Sequence, residues 1–442
     1  MTQELWGAET RKAIANFPVS GEPIPYDVAR WLGRIKAAAA RVNAELGLLD
    51  PEKAERIAVA ADRIAGGELD DQFPIDVFQT GSGTSSNMNA NEVIATLAGD
   101  GVHPNDDVNM GQSSNDVFPS AVHLAALDRI VNDLLPALDL LAESLAAKAR
   151  EFDDVVKSGR THWMDALPVT LGQEFGGYAA QVREGKARIE GTLERLSKIP
   201  LGGSAVGTGL NTHPEFAARI RARLAQETGL RINPPADPFE ATAARDGLVE
   251  ASGALKVVAV SLTKIANDLR YLGSGPRAGL GEIFLPELQK GSSIMPGKVN
   301  PVIPEVVTQV AAQLIGNDQA IAIGGMQGHF ELNACVPLIA RNLLDQIKLL
   351  SAASRLFAEK CVDGIEANRE QAERYAELTL SAATALTPSL GYDLVASLVR
   401  EAAVSGRALR SVAIDRGIDA ALVDAALDPL RLARGGDRKS VV

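Results

Sequence analysis

Apolar residues recur through the middle of the chain in alternating steps of three and four. Leu124, Leu127, Val131, Leu134, Leu138, Leu141 and Leu145 keep that spacing without a miss. Phe175, Tyr178, Val182, Ile189, Leu193 and Leu196 nearly repeat it, as do Leu248, Leu255, Val258, Leu262, Ile265, Leu269 and Leu272. Val306, Val310 and Leu314 follow the same rule, and so do Ile339, Leu343, Leu350 and Phe357. This spacing lays one apolar stripe along a helix and predicts long helices packed at shallow angles. One of them is expected to run through 240–272. Ile130, Leu135, Val257 and Ile347 widen the stripe beyond a single seam. Burial on two sides then implies bundle against bundle, and a homo-oligomer of low symmetric order.

Breakers mark the ends. Gly273-Ser274-Gly275-Pro276 stops the third run, and Pro200 with Leu201-Gly202-Gly203 follows the second. Residues 1–110 read as mixed helix and loop, with a helix over Glu52–Ile64 broken by Gly66-Gly67 and another expected from about Asn91. Past about 370 the long period gives way to shorter helical segments, and Gly435 to Val442 are expected to fray. The fold class is therefore mainly α. The domains expected are 1–111, N-terminal and mixed helical; 112–369, a central long-helix bundle; and 370–442, small, C-terminal and helical.

Composition narrows the partners. Hydrophobic residues make up 46% of the 442 and aromatics 4%, enough apolar material for sizeable cores and a balance that favours helix. A net charge of −12 without a basic tract excludes nucleic acid and an anionic membrane surface as expected partners. No apolar run reaches the roughly 18 residues of a membrane helix. The start, Met1-Thr2-Gln3-Glu4-Leu5, has neither a basic nor an apolar leader segment. Two cysteines, Cys335 and Cys361, make no disulfide framework, and the expected location is the reducing cytoplasm.

The candidate chemistry sits in four polar clusters, at 80–89, 103–116, 160–165 and 291–305. The densest is Gly291-Ser292-Ser293-Ile294-Met295-Pro296-Gly297-Lys298-Val299-Asn300-Pro301, followed by Glu305. Backbone N–H groups, a lysine and a following helix N-terminus suit an anion. It is not a P-loop: its glycines are one residue too far apart, and Val299 stands where Mg²⁺ binding needs Ser or Thr. Gly203, Gly207 and Gly209 do not make a dinucleotide fingerprint. The five histidines show no metal-ligand spacing, so no metal site is expected. Any one cluster reads most simply as a helix cap. Four of them, each denser than a cap requires, suit a substrate with a carboxylate at both ends. His162 lies beside a loop and a hydroxyl, and Glu305 is a carboxylate able to fix its tautomer and raise its basicity.

At these same clusters the sequence resembles the class II fumarases of the fumarase/aspartase superfamily. The fragments Thr80–Asn89, His103–Asn109, Ser113–Asp116, Arg160–His162, Gly202–Asn211 and Gly291–Asn300 read as that family's blocks in order. Asn267 to Gly275 and Glu331-Leu332-Asn333 extend the likeness over nearly the whole chain. The Gly-Ser-Ser-x-Met-Pro-x-Lys-x-Asn motif is shared with the superfamily's ammonia lyases, argininosuccinate lyases and adenylosuccinate lyases. Gly297 before Lys298, Asp107, the Ser113–Asp116 block and Phe330-Glu331-Leu332-Asn333 favour fumarase over aspartase. A departure is Trp163-Met164, where the family more often has Leu-Gln.

The resemblance implies reversible anti hydration of fumarate to (S)-malate, in the tricarboxylic acid cycle, with no metal or organic cofactor. It assigns Ser292 as the base, and His162 with Glu305 as the second acid/base acting through a water. Ser82, Thr84, Ser113, Ser114, Asn115, Thr161, Lys298 and Asn300 correspond to the substrate-binding shell. His103, Asn105 and Asp106 match a secondary anion site. The implied architecture is a three-domain subunit whose central helices join those of three others in a homotetramer, each active site drawing on several subunits. An aspartase or another superfamily lyase, and a helical scaffold without activity, are the competing readings.

Overall fold

The structure, a computed structural model, describes residues 4–435. The tail expected to fray lies, from 436 on, outside the described residues, as do the first three residues of the N-terminal segment. The chain divides into two compact units. One holds residues 4–137, 185–260 and 310–352, and the other 138–184, 261–309 and 353–435. Each contains sections of five long helices, Leu135–Glu151, Leu171–Glu190, Asp246–Leu272, Val302–Gly325 and Val336–Lys360. The chain is mainly α, with three two-stranded sheets.

In the first unit the helices Tyr26–Glu45, Pro51–Ala65, Thr84–Ala98 and Ser114–Arg129 enclose a core that includes Trp31, Leu32, Ile35, Ile57 and Phe118. Asp50 caps the second of these through the Lys53 N–H, and Pro51 opens it, so the expected Glu52–Ile64 helix is present. The helix expected at about Asn91 begins earlier, at Thr84, with Gly83 left-handed at its N-cap. Its first turns bury Ser86, Asn87, Asn89 and Asn91. Apolar periodicity cannot register a buried face made of amides and hydroxyls.

The leucine run is not one uninterrupted α-helix. A five-residue π turn at Ile130–Leu134 separates Ser114–Arg129 from Leu135–Glu151. Pro136 is the cause, because it has no N–H for the carbonyl four residues back and its ring crowds that carbonyl. The 240–272 run is likewise split, into Pro238–Ala243 and Asp246–Leu272. Ala244 is extended, and the buried Arg245 guanidinium donates to the Ala241 and Thr242 carbonyls, 2.7 Å each, at the end of the short helix. Along Val302–Gly325 the buried apolar positions include Ile303, Val307, Ala311, Leu314 and Ile321, whereas Val306 is exposed.

The second unit contains an antiparallel hairpin, Val156–Thr161 with Met164–Thr170, that helical periodicity did not anticipate. Its shorter C-terminal helices share an apolar cluster centred on Leu386, Leu398, Val412 and Val423. Among the described residues no helix is long and apolar enough to cross a membrane.

His123, buried in the first unit, donates its Nδ1 hydrogen to the Leu196 carbonyl at 2.9 Å. Burial pushes its pKa down to about 4, helped by the Arg245 charge and opposed by the Leu196 carbonyl. The unfolded chain therefore takes up this proton below about pH 6.5, while the native state refuses it until about 4. Native stability should fall by on the order of 3 kcal/mol as pH drops through that window. His123→Asn should flatten the fall in urea unfolding curves, and an equal loss in both proteins would rule His123 out as its source.

Candidate functional site

The clusters picked out in the sequence fall into both units, and each group has its own geometry. In the first unit, two helix N-termini carry hydroxyls. Gly83 precedes one, with φ 77°, and a Cβ there would meet the Phe118 ring at 2.2 Å, so only glycine fits. Ser82 and Thr84 share a hydroxyl–hydroxyl hydrogen bond of 2.8 Å. At the other terminus Ser113 forms a capping box with Asp116. Its oxygen is thus engaged by the backbone, the plain structural role for such a residue. Ser114 differs, because its oxygen accepts from the Asn87 side-chain amide at 2.9 Å and its hydrogen remains available to an anion. Asn115 spends one amide hydrogen on the Ala205 carbonyl at 2.9 Å.

Behind Ser114 lies a buried polar group. The Asn109 side-chain oxygen accepts from Lys36 Nζ at 2.8 Å, from Asn87 at 3.2 Å and from Asn91 at 3.3 Å. Lys36 is fully buried, and burial pulls its pKa down to about 7 against the opposing charge of Asp116. Burial raises the Asp116 pKa, while N–H groups of Ser113, Gly202 and Ser204 and the Lys36 charge oppose the rise. The secondary cluster lies at a π turn, Pro104–Val108. There His103 Nδ1 accepts the Asp106 N–H at 3.1 Å, Asn105 is exposed, and Asp107 pairs with Lys53 at 3.0 Å.

In the second unit, Thr161 and His162 stand at the tip of the hairpin. Thr161 pairs with Met164, leaving a two-residue turn of His162 and Trp163, both left-handed with φ 55° and 65°. Such turns match strand twist but favour Asn-Gly. Strain of about 1 kcal/mol or more per residue is expected here. The Trp163 ring stands edge-on to Tyr271, centroids 4.6 Å apart, which offsets part of it. Just upstream, Arg160 grips the fully buried Glu282 with two 2.9 Å bonds, and Lys157 bonds Glu174 at 2.8 Å. His162, Trp163, Arg160, Tyr178, Asp268 and Tyr271 line a cavity of about 290 Å³.

The 291–300 loop, in the same unit, is closed at its base and open at its tip. The Gly291 N–H donates to the Lys298 carbonyl at 2.9 Å, and the Asn300 amide donates to the Gly291 carbonyl at 2.6 Å. A Cβ on Gly291 would come within 2.1 Å of the Lys298 oxygen. Inside the loop, Ser292 Oγ accepts the backbone N–H of Ile294 at 3.2 Å and of Met295 at 3.1 Å. Two donors on one serine oxygen lower the cost of its deprotonated form. Lys298 is exposed, and Glu305 occupies the first turn of Val302–Gly325. Among the described residues no hydrogen bond or ion pair joins Glu305 to His162. Nor is any group of three or more His, Cys, Asp or Glu side chains placed to hold a metal ion.

The family described as "Lyase" matches residues 1–316, and that described as "Fumarase C C-terminus" matches 383–434. A protein of Mycobacterium tuberculosis named class II fumarate hydratase is 58% identical over 418 residues, 94% of this chain and 88% of that protein. The chain belongs to the class II fumarate hydratases. A relative of that name from Corynebacterium efficiens is 56% identical over 94% of this chain and 89% of its own. The crystal structure of recombinant class II fumarase from Schistosoma mansoni superposes with a TM-score of 0.95 at 37% identity, covering 98% of this chain and 96% of that one. Family membership makes this chain a lyase of mainly helical fold.

Several groups in this fumarase-family chain were not among the expected site residues. Lys36 was one, although a lysine four residues after Leu32 and one after Ile35, in an alanine-rich helix, is a legible anomaly. Asn87 and Asn109 lay inside the recognised blocks without a role. The Ile294 and Met295 N–H groups carry no side-chain signal at all.

Proposed function

We propose that this chain catalyses the reversible anti addition of water to fumarate, giving (S)-malate, as a step of the tricarboxylic acid cycle. The relatives' name gives the reaction, and one observation carries the mechanism: Ser292 Oγ held by two backbone N–H groups. In the malate direction of attack, Ser292 removes the C3 proton and negative charge flows into the adjacent carboxylate. Donors at that carboxylate then stabilise the transition state more than the ground state. Ser82, Thr84, Ser114, Asn115, Thr161, Lys298 and Asn300 supply them. His162, oriented by Glu305, passes a proton to the departing hydroxyl through a water. The resemblance also puts Ser113 in this shell; its capping role holds Ser114 and Asn115 in place. His103, Asn105 and Asp106 form a separate exposed anion site.

The working form is a homotetramer with sites shared between subunits. Its support is the outward apolar surface of two long helices, with Val257 and Val260 on one and Ala312, Ile315, Gly316 and Ile323 on the other. The three-domain division at 111/112 and 369/370 belongs to the same reading, supported at the C-terminal end by the separate apolar cluster. Free Cys335 and Cys361 suit the cytoplasm.

Ultraviolet absorbance of the conjugated diacid should rise when malate is added and stay flat with aspartate. A rise with aspartate alone would replace hydratase with ammonia lyase, and silence with both would leave a scaffold. Mixing His162→Asn subunits with Ser292→Ala subunits should restore part of the activity that each variant lacks. No recovery after verified subunit exchange would count against shared sites.

A further inference from the structure

The donor shell at the two helix N-termini of the first unit is electrically neutral, yet a lysine is buried behind it. Lys36 Nζ bonds the Asn109 side-chain oxygen at 2.8 Å; Asn87 bonds that same oxygen at 3.2 Å and Ser114 Oγ at 2.9 Å. We propose that Lys36 is a positioning residue for substrate: through Asn109 and Asn87 it fixes the Ser114 hydroxyl, and its buried charge draws a substrate carboxylate to that helix terminus. This rests on the dicarboxylate reading of the site.

A purely structural lysine explains the arrangement poorly. A buried ammonium is costly unless paired, and an unbranched apolar side chain would fill the same space at lower cost. The nearest opposing charge, Asp116, spends its oxygens on the N–H groups of Ser113, Gly202 and Ser204. Asp116 therefore offsets the Lys36 charge only through space, and the lysine's own hydrogen bond goes to a neutral amide. What the lysine does reach, through Asn109 and Asn87, is the Ser114 hydroxyl, where an anion would meet its charge. The helix dipole of Ser114–Arg129 acts in the same direction, with its N-terminus toward the anion.

The test uses the full-length oligomer with Lys36→Met, Lys36→Arg and Asn109→Asp. Calorimetry would measure binding of succinate, a C4 dicarboxylate that cannot be hydrated, alongside steady-state fumarate hydration. Lys36→Met should weaken succinate and raise KM about tenfold or more, the effect of one lost charge-assisted contact, with kcat changed far less. Lys36→Arg should recover part of the affinity. Asn109→Asp, which neutralises the lysine without removing it, should reproduce the KM effect even if Lys36→Met does not fold. Wild-type turnover with unchanged succinate affinity in Lys36→Met or Asn109→Asp would overturn the proposal alone. Equal losses of kcat in Lys36→Met and Lys36→Arg at constant KM would reduce Lys36 to a structural residue. Lys36-dependent succinate binding without fumarate turnover would keep this proposal and overturn the hydratase reading; neither binding nor turnover would overturn both.

Discussion

A serine hydroxyl is a poor base because its alkoxide is far too costly near neutral pH, and everything proposed for this chain depends on lowering that cost. The 291–300 loop does so with backbone alone. Ile294 and Met295 both aim N–H groups at Ser292 Oγ. Gly291, with no side chain, lets the loop ends approach closely enough for the Gly291–Lys298 and Asn300–Gly291 bonds to fix that curve. Main-chain donors of this kind are preorganised and need little rearrangement when charge develops.

In the proposed mechanism the remaining elements address the substrate's charge. Hydroxyls and amides at two helix N-termini offer donors without a strong permanent charge in the first layer, and Lys36 places the charge one layer deeper. In the second unit, His162 is presented on a left-handed turn that a histidine and a tryptophan would not choose on local grounds. It is anchored by the pairing of Arg160 with the buried Glu282 upstream and by the Trp163–Tyr271 contact. Strain of this sort persists only where the surroundings over-determine it.

The fold was legible wherever apolar side chains face inward at helical spacing: Leu134, Leu138, Leu141 and Leu145 are all buried, as are Leu262, Ile265 and Leu269. It was illegible where another constraint wins. Pro136 forces a π turn that leucine spacing does not reveal, and the Thr84–Ala98 helix begins with a buried polar face. The hairpin bearing His162 contains a buried lysine and a buried serine, Lys157 and Ser158, at positions that carry no apolar alternation. For the candidate site, side-chain chemistry could be read from the four clusters. What could not be read was which serine caps and which is free, and which main-chain groups face Ser292, because those depend on backbone geometry.

The central claim is that Ser292 is the base, and Ser292→Ala tests it most directly in steady-state turnover of malate and fumarate. Turnover should fall by about three orders of magnitude or more, with the molecular mass in solution and the helical signal unchanged. Turnover near that of the unmodified protein would contradict the account and remove Ser292 from the chemistry.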